Sequence, residues 1–411
     1  METKVCIIGA GPGGATAALQ LARLGIECIV VDKAVFPRDK VCGDGLSGKV
    51  LTLLERIDKG IGERLQQALF KADSWGITFV APNRTGMDIP YRMNYQQDKS
   101  NPRGFVCKRI DFDNFLVDEM KRCPEIRLFE GIAIDKYELK KDGYHLSSKD
   151  GNFQIKTELV IVANGAHSSF TKEVAGIKME PAHYVAGIRA YYKGINGLHT
   201  DNFIELHFLK NMLPGYLWIF PLPNGEANVG VGMLSNSARN NKINLKQLML
   251  DTLATDPVMK ERFKHAKLVG NIDGYGLPLG SKKRKLHGER YMLVGDAAYL
   301  IDPFTGEGIG NALYSGRMAA LQAAAAITAN NYSDAFLATY DKDVYRILGP
   351  ELQMSTKLQK LVKYPWLFNL LMKIGSRNKQ LKDIMSCMFH EVDLRKKLGQ
   401  PVFYVKLLFN R

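Results

Sequence analysis

Residues Val5-Cys6-Ile7-Ile8-Gly9-Ala10-Gly11-Pro12-Gly13-Gly14 set three glycines at Gly-x-Gly-x-x-Gly spacing directly after an apolar run. That spacing suits backbone binding of a dinucleotide. Gly9 permits a tight turn, Gly11 lets the backbone approach a pyrophosphate, and Gly14 lets the next helix pack close to a sheet. A helix opening there aims unpaired N–H groups and its positive dipole end at the phosphates. The context agrees: a strand over Val5–Ile8, a helix over Ala15–Leu24 stopped by Gly25, and a strand over Glu27–Val31 ending in Asp32. Asp32 falls where a ribose hydroxyl needs an acceptor. Pro12, Gly13 and Lys33 join the same expected site. A glycine-rich turn of another α/β fold is the competing explanation.

A second constellation lies far downstream. Val294-Gly295-Asp296-Ala297-Ala298 ends a strand, and Asp302-Pro303-Phe304-Thr305-Gly306-Glu307-Gly308-Ile309-Gly310-Asn311 follows. Asp296 can accept from a ribityl or ribose hydroxyl. Pro303 shapes a turn, and Gly308, Ile309 and Gly310 open a helix whose N–H groups can face an electron-rich ring oxygen. A nicotinamide enzyme has no need of this second site, whereas a flavin has. Arg109-Ile110-Asp111-Phe112-Asp113 is a further segment of note, and Ala163-Asn164-Gly165-Ala166-His167-Ser168 is a strand end and turn returning to the first site.

Together these segments resemble the glutathione-reductase-type flavoproteins of the para-hydroxybenzoate-hydroxylase-like group. The matched pieces are Gly9-x-Gly11-x-x-Gly14 with Asp32, Arg109-x-x-Phe112-Asp113-x-x-Leu116, Ala163-x-Gly165-x-x-Ser168, and Gly295-Asp296-Ala297 with Asp302-Pro303. They occur in the family's order over about residues 4–330, and in combination they imply FAD. Two passages resemble the geranylgeranyl reductases within that group. Lys40-Val41-Cys42-Gly43-Asp44-Gly45 looks like their Cys-Gly loop, and Tyr216-Leu217-Trp218-Ile219-Phe220-Pro221 like their Tyr-x-Trp-x-Phe-Pro motif. Halogenases of the group carry Trp-x-Trp-x-Ile-Pro instead, from which Tyr216 and Phe220 depart. Period-two spacing puts Tyr216, Trp218 and Phe220 on one strand face, an aromatic wall suited to a long apolar chain. The competing explanations are an aromatic core strand and, for Cys42, a packing thiol. The expected cofactor-binding set is completed by Cys42, Gly43, Arg109, Ala133, Asn164 and Gly165. Tyr216, Trp218, Phe220 and Pro221 form the expected substrate-binding set, and Cys42, Tyr216 and Trp218 the expected catalytic one.

These residues need scaffolds, and the chain supplies them. The fold class expected is α/β, a split Rossmann-like FAD-binding domain with an inserted antiparallel β-sheet domain and a helical C-terminus. The divisions read as 1–74, 106–182 and 286–345 for the FAD domain, 75–105 and 183–285 for the substrate sheet, and 346–411 for a helical basic tail. Arg109–Lys121 reads as an amphipathic helix. Strands near 126–135, 137–148 and 152–157 read as a small meander, with Leu159-Val160-Ile161-Val162-Ala163 as a separate buried strand. A single helix is expected near 244–262. Helix is expected over 311–345, with a break at Gly349-Pro350.

The 411 residues are ordinary in composition, with 46% hydrophobic and 24% charged, which excludes disorder and collagen-like repeats. The net charge of +14 fits an anionic dinucleotide plus a negatively charged bilayer, without any nucleic-acid signature, although general solubility explains it as well. Cys6, Cys28, Cys42, Cys107, Cys123 and Cys387 are scattered, so no metal site is expected. The first strand begins at once, so no signal peptide and cytoplasmic residence are expected. The mixture of lysines, aromatics and aliphatics over 360–373 suggests peripheral contact with the inner membrane face, or else a helix packed on the core.

The resemblance implies reduction of an isolated C=C bond in an isoprenoid chain by reduced FAD, with electrons from NAD(P)H or ferredoxin. Cys42 and its loop are the candidates for positioning the chain or the proton. Glu307 is a further candidate relay, while His167, His207 and His287 are expected to be structural. An FAD monooxygenase of an aromatic or polyketide-like substrate is the second expectation, and a non-catalytic flavin carrier the third.

Overall fold

The computed structural model describes residues 1–92, 95–97, 99–378 and 382. Cys387 and most of the tail beyond 378 lie outside them.

The apolar first run builds a strand, Glu2–Ile8, at the centre of a parallel sheet. Gln154–Val162 and Cys28–Val31 flank it, and Tyr291–Leu293 and Ile126–Phe129 lie outside those. Neighbours run parallel in register, with Ile8 opposite Val162 and Val31. Both faces of this sheet are covered, which is why its strands read as unbroken apolar runs. The helices Pro12–Arg23 and Ile309–Ala329 pack together on it. Their contact is glycine to glycine: a Cβ on Gly316 would lie 2.2 Å from the Gly13 carbonyl oxygen. Cys6 and Cys28 are core residues of this sheet, and burial raises both thiols, Cys28 to about 12.

A second sheet of seven strands runs in the order Lys267–Pro278, Tyr184–Lys193, Glu226–Leu234, Tyr216–Pro221, Ile204–His207, Gly76–Val80 and Gly86–Pro90. It is antiparallel except where Ile204–His207 runs parallel to Gly76–Val80. Gly45–Leu46, Gly104–Val106 and Ala72–Ser74 make a small third sheet between the two.

Four local expectations are corrected. Ile126–Phe129 leaves the meander and pairs in parallel with Cys28–Val31. Residues 152–157 and the apolar run after them form one strand, Gln154–Val162, because its outer half pairs with the hairpin strand Gly143–Ser147 while its inner half enters the core. The 244–262 helix is two helices, Leu245–Thr255 and Pro257–Phe263. Asp256 breaks it by accepting from Val258 N and Met259 N, with Pro257 in the first turn. Conversely, the helix Asp334–Leu361 continues through Pro350. An interior proline costs about 3 kcal/mol. Opposing that cost, Glu351 binds Lys49 and Leu352 packs onto Gly280 just past it.

Candidate active site

The cofactor end of the site is built by the first turn. Gly9 has φ of +104°, and a Cβ there would lie 2.4 Å from the Ala163 carbonyl oxygen. A Cβ on Gly14 would meet the Gly9 carbonyl at 1.8 Å. Glycine is therefore required at both positions. Asp32 accepts from Ala10 N at 2.7 Å and Ala34 N at 2.8 Å, so its carboxylate pins the turn to the second strand. Lys33 is exposed beside it. Ala133 follows a segment in which Ile132 N donates to the Asp32 carbonyl at 2.9 Å.

The helix Pro12–Arg23 has no acidic residue in its first turn and no side-chain cap, so its leading N–H groups stay available to an anion. Cations stand close by. A Cβ on Gly11 would lie 3.7 Å from the Arg38 guanidinium. Arg38 and Arg109 share Asp113, each at 2.6 Å. Burial pushes the Asp113 carboxyl upward, but Arg109 and Arg38 outweigh it and hold the carboxyl below its ordinary value. Asp296 pairs with Lys40 at 2.9 Å. Asn164 Oδ1 is buried without a protein partner, and Gly165 takes φ of +83°. A cradle only glycine fits, an uncapped helix start, two cations and an orphaned amide oxygen suit a pyrophosphate-linked dinucleotide.

At the second helix, Ile309–Ala329, the chain engages one expected donor itself. Gly310 N donates to Glu307 Oε1 at 2.6 Å. Glu307 belongs to a buried cluster in which Lys49 Nζ donates to Glu351 at 2.5 and 2.6 Å. Burial raises both glutamates, and Lys49 opposes that.

Beside this end lies a largely apolar cavity of about 740 Å³, open solvent included. Tyr216, Trp218 and Phe220 line one wall, with successive ring centroids 6.2 and 6.5 Å apart. The Asp302–Gly306 turn lines another, so Pro303 faces the cavity. Gln359 and Val362, at the end of the long helix, contribute a third side. Gln359 Nε2 donates to the Pro303 carbonyl at 2.7 Å, and Tyr216 Oη to the Thr305 carbonyl at 2.8 Å, tying these walls together. Pro221 ends the aromatic strand away from the lining. Gly43 lines the cavity, but Cys42 does not. The Cys42 thiol faces Arg109, and burial raises it, so it remains a thiol.

Behind the aromatic wall is a polar network that sequence reasoning missed. Asn228 is fully buried. Its Oδ1 accepts from Trp218 Nε1 at 2.8 Å, and its Nδ2 donates to the Cys42 carbonyl at 2.7 Å and Asp44 Oδ2 at 2.8 Å. Tyr191 Oη donates to the same Asp44 oxygen at 2.8 Å. Asp44 takes φ of 67° and is 0% exposed. Burial pushes its carboxyl up to about 6, against the hydrogen bonds and the Arg189 and Arg109 charges. Asp44 Oδ1 is buried without a partner. One signal pointed here: Asn228 is a lone amide within an apolar strand, Ala227 to Val231.

The histidines stand elsewhere. His207 contacts Glu205 at 2.7 Å, His287 contacts Asp341 at 2.7 Å, and the His167 ring packs against Tyr275. None lines the cavity.

Comparison with known proteins agrees with this arrangement. The family model for an FAD binding domain matches residues 2–205, and that for a geranylgeranyl reductase catalytic domain matches residues 186–271. The chain is 30% identical to the menaquinone reductase of Mycobacterium tuberculosis over 330 residues, 78% of this chain and 76% of that one. It is 31% identical to the digeranylgeranylglycerophospholipid reductase of Thermoplasma volcanium, covering 83% of each. Among solved structures, a geranylgeranyl bacteriochlorophyll reductase-like protein from Thermoplasma acidophilum superposes with a TM-score of 0.78 at 22% identity, over 97% of this chain and 98% of that one. A flavin-dependent brominase superposes at 0.77 and 19%, over 95% and 94%, which shows a shared fold. The chain is therefore an FAD-dependent oxidoreductase of the geranylgeranyl-reductase-like family, within the para-hydroxybenzoate-hydroxylase-like flavoproteins.

Proposed function

We propose that the chain reduces isolated C=C bonds in a prenyl chain carried by a lipid or a quinone. The observation that carries this reading is the cavity: a largely apolar space in which the aromatic wall of Tyr216, Trp218 and Phe220 stands with the Asp302–Gly306 turn that leads into the second expected flavin helix. Menaquinone and digeranylgeranylglycerophospholipid, named in the relatives, both carry such chains.

The Gly9–Gly14 turn, Asp32, Arg38 and Asp296 would hold FAD, which would supply the two-electron reducing chemistry there, with NAD(P)H or a ferredoxin-type donor as its source of electrons. The protein residues do the rest. An isolated alkene is a poor electron acceptor, so a proton must be delivered to one carbon in a site that excludes water. Tyr216, Trp218 and Phe220 hold the chain and keep the pocket dry. Asp44 stores the proton. Its Oδ2 accepts two hydrogen bonds, so the proton belongs on Oδ1, which has no partner. Asn228 and Tyr191 fix that orientation, and Gly43, the neighbour of Asp44, forms the adjoining cavity wall. Cys42 positions the loop through its main-chain carbonyl.

Mass spectrometry of lipid extracts from cells with and without the protein tests the reading. Prenyl lipids gaining pairs of hydrogens are expected. Products gaining one oxygen, with turnover dependent on O2, would overturn it in favour of a monooxygenase.

A further inference from the structure

We infer that the helix Pro365–Arg377, with the basic residues leading into it, is a docking surface for an anionic lipid bilayer. The helix has two faces. Phe368, Met372 and Gly375 are buried, and the Phe368 ring packs on Phe208 of the cavity wall with centroids 5.0 Å apart. Trp366, Leu370 and Ile374 recur at four-residue intervals on the other face and are exposed, Trp366 to 68%. Tyr364 is exposed just before the helix. The remaining exposed large apolar residues are scattered along the described chain, where single ones need no explanation. An apolar stripe along one helix does need one.

Charge selects the occupant. From Leu352 to Asn378 the chain carries Lys357, Lys360, Lys363, Lys373 and Arg377, with no aspartate or glutamate. All five are exposed, and none is paired with a carboxylate among the described residues. Elsewhere in the molecule buried or half-buried cations such as Arg109, Arg189 and Arg262 have acidic partners. Apolar and aromatic side chains interleaved with unpaired lysines match the boundary between headgroups and acyl chains of an acidic leaflet. Among the described residues no helix is long and apolar enough to cross a membrane, so the contact is lateral. The surface also adjoins the cavity, since Gln359 and Val362 line it immediately before the helix. The binding claim stands without the proposed reaction; its use, passing a prenyl lipid from the bilayer to the cavity, rests on that reading.

Flotation of the full chain, loaded with FAD, on vesicles of equal parts phosphatidylglycerol and phosphatidylcholine tests this. Co-flotation is expected, with loss on phosphatidylcholine alone or in high salt. Trp75 and Trp218 are largely enclosed, so brominated lipid should quench chiefly Trp366, and Trp366→Phe should remove that quenching. Lys363→Glu and Lys373→Glu should each weaken binding about fivefold or more. The double variant Trp366→Glu/Leu370→Glu should not float while keeping its flavin absorbance and melting temperature. Failure of the wild type to float, or flotation of that double variant, would overturn the proposal. So would wild-type dimers that the double variant splits, without vesicle binding, because a second copy would then cover the stripe. Turnover of a detergent-dispersed prenyl substrate, assayed in parallel, keeps the two readings separate: its absence would sink the reaction and leave the bilayer result standing.

Discussion

Trp218 and Asn228 are joined by a 2.8 Å hydrogen bond from indole to amide, and through that amide the aromatic wall is fastened to the Cys42–Asp44 loop. One buried side chain thus sets the distance between the aromatic wall and the loop. Asn228→Leu leaves the indole N–H, the Cys42 carbonyl and Asp44 each short of a partner. A buried group left unpaired costs about 1–3 kcal/mol. The variant should lose several kcal/mol in urea unfolding and turn over slowly even where it folds. Unchanged stability would mean that Asn228 bears no such strain.

Asp44 predicts a pH profile. Its native value of about 6 exceeds the ordinary 3.8, so the folded state binds the proton more tightly. The contribution to stability is complete below pH 3.8 and is lost as pH rises through about 6. Activity that needs the neutral acid should fall over the same upper limb. Asp44→Asn keeps an oxygen for Tyr191 and Asn228 but cannot give up a proton. A drop of about 10²–10⁴ in kcat is expected, with the fall above about pH 6 flattened. Full activity at neutral pH would remove Asp44 as the acid.

Gly14→Ala should abolish FAD retention, because its methyl group would lie 1.8 Å from the Gly9 carbonyl oxygen. Visible absorbance of the purified variant measures this. A yellow, stoichiometric flavoprotein would contradict the cradle.

Much of that cradle was legible in the sequence because it is local. The turn, the helix start and Asp32 lie within one β-α-β unit, and each residue's type states its steric or bonding task. The Asn228 network was not legible. Its members, Asp44, Tyr191, Trp218 and Asn228, come from a loop and three strands, and only the register of the second sheet brings them together. Pro350 misled for a similar reason: its local propensity to break a helix was overridden by contacts made to Lys49 and Gly280, about 300 and 70 residues away in the chain. Cys42 stood out by type, yet its main chain, rather than its thiol, reaches the network.

The Lys49–Glu351 pair should be costly to halve. Lys49→Met leaves Glu351 buried without its cation, and such a loss costs about 3–5 kcal/mol. Lys49→Met with Glu351→Leu should recover much of it, since a buried ion pair is readily replaced by packed apolar side chains. Calorimetric melting of the single and double variants checks the sign.

The contact between Gly13 and Gly316 fixes an order of events at the ribosome. The helix that presents its N-terminus to the dinucleotide docks on a partner that does not exist until residue 316 has left the exit tunnel. The strand Tyr291–Leu293 that borders Gln154–Val162 arrives almost as late. The amino-terminal third therefore emerges with its glycine seam exposed. The antiparallel sheet can close first, and the cofactor cradle gains its second helix only once residue 316 has emerged.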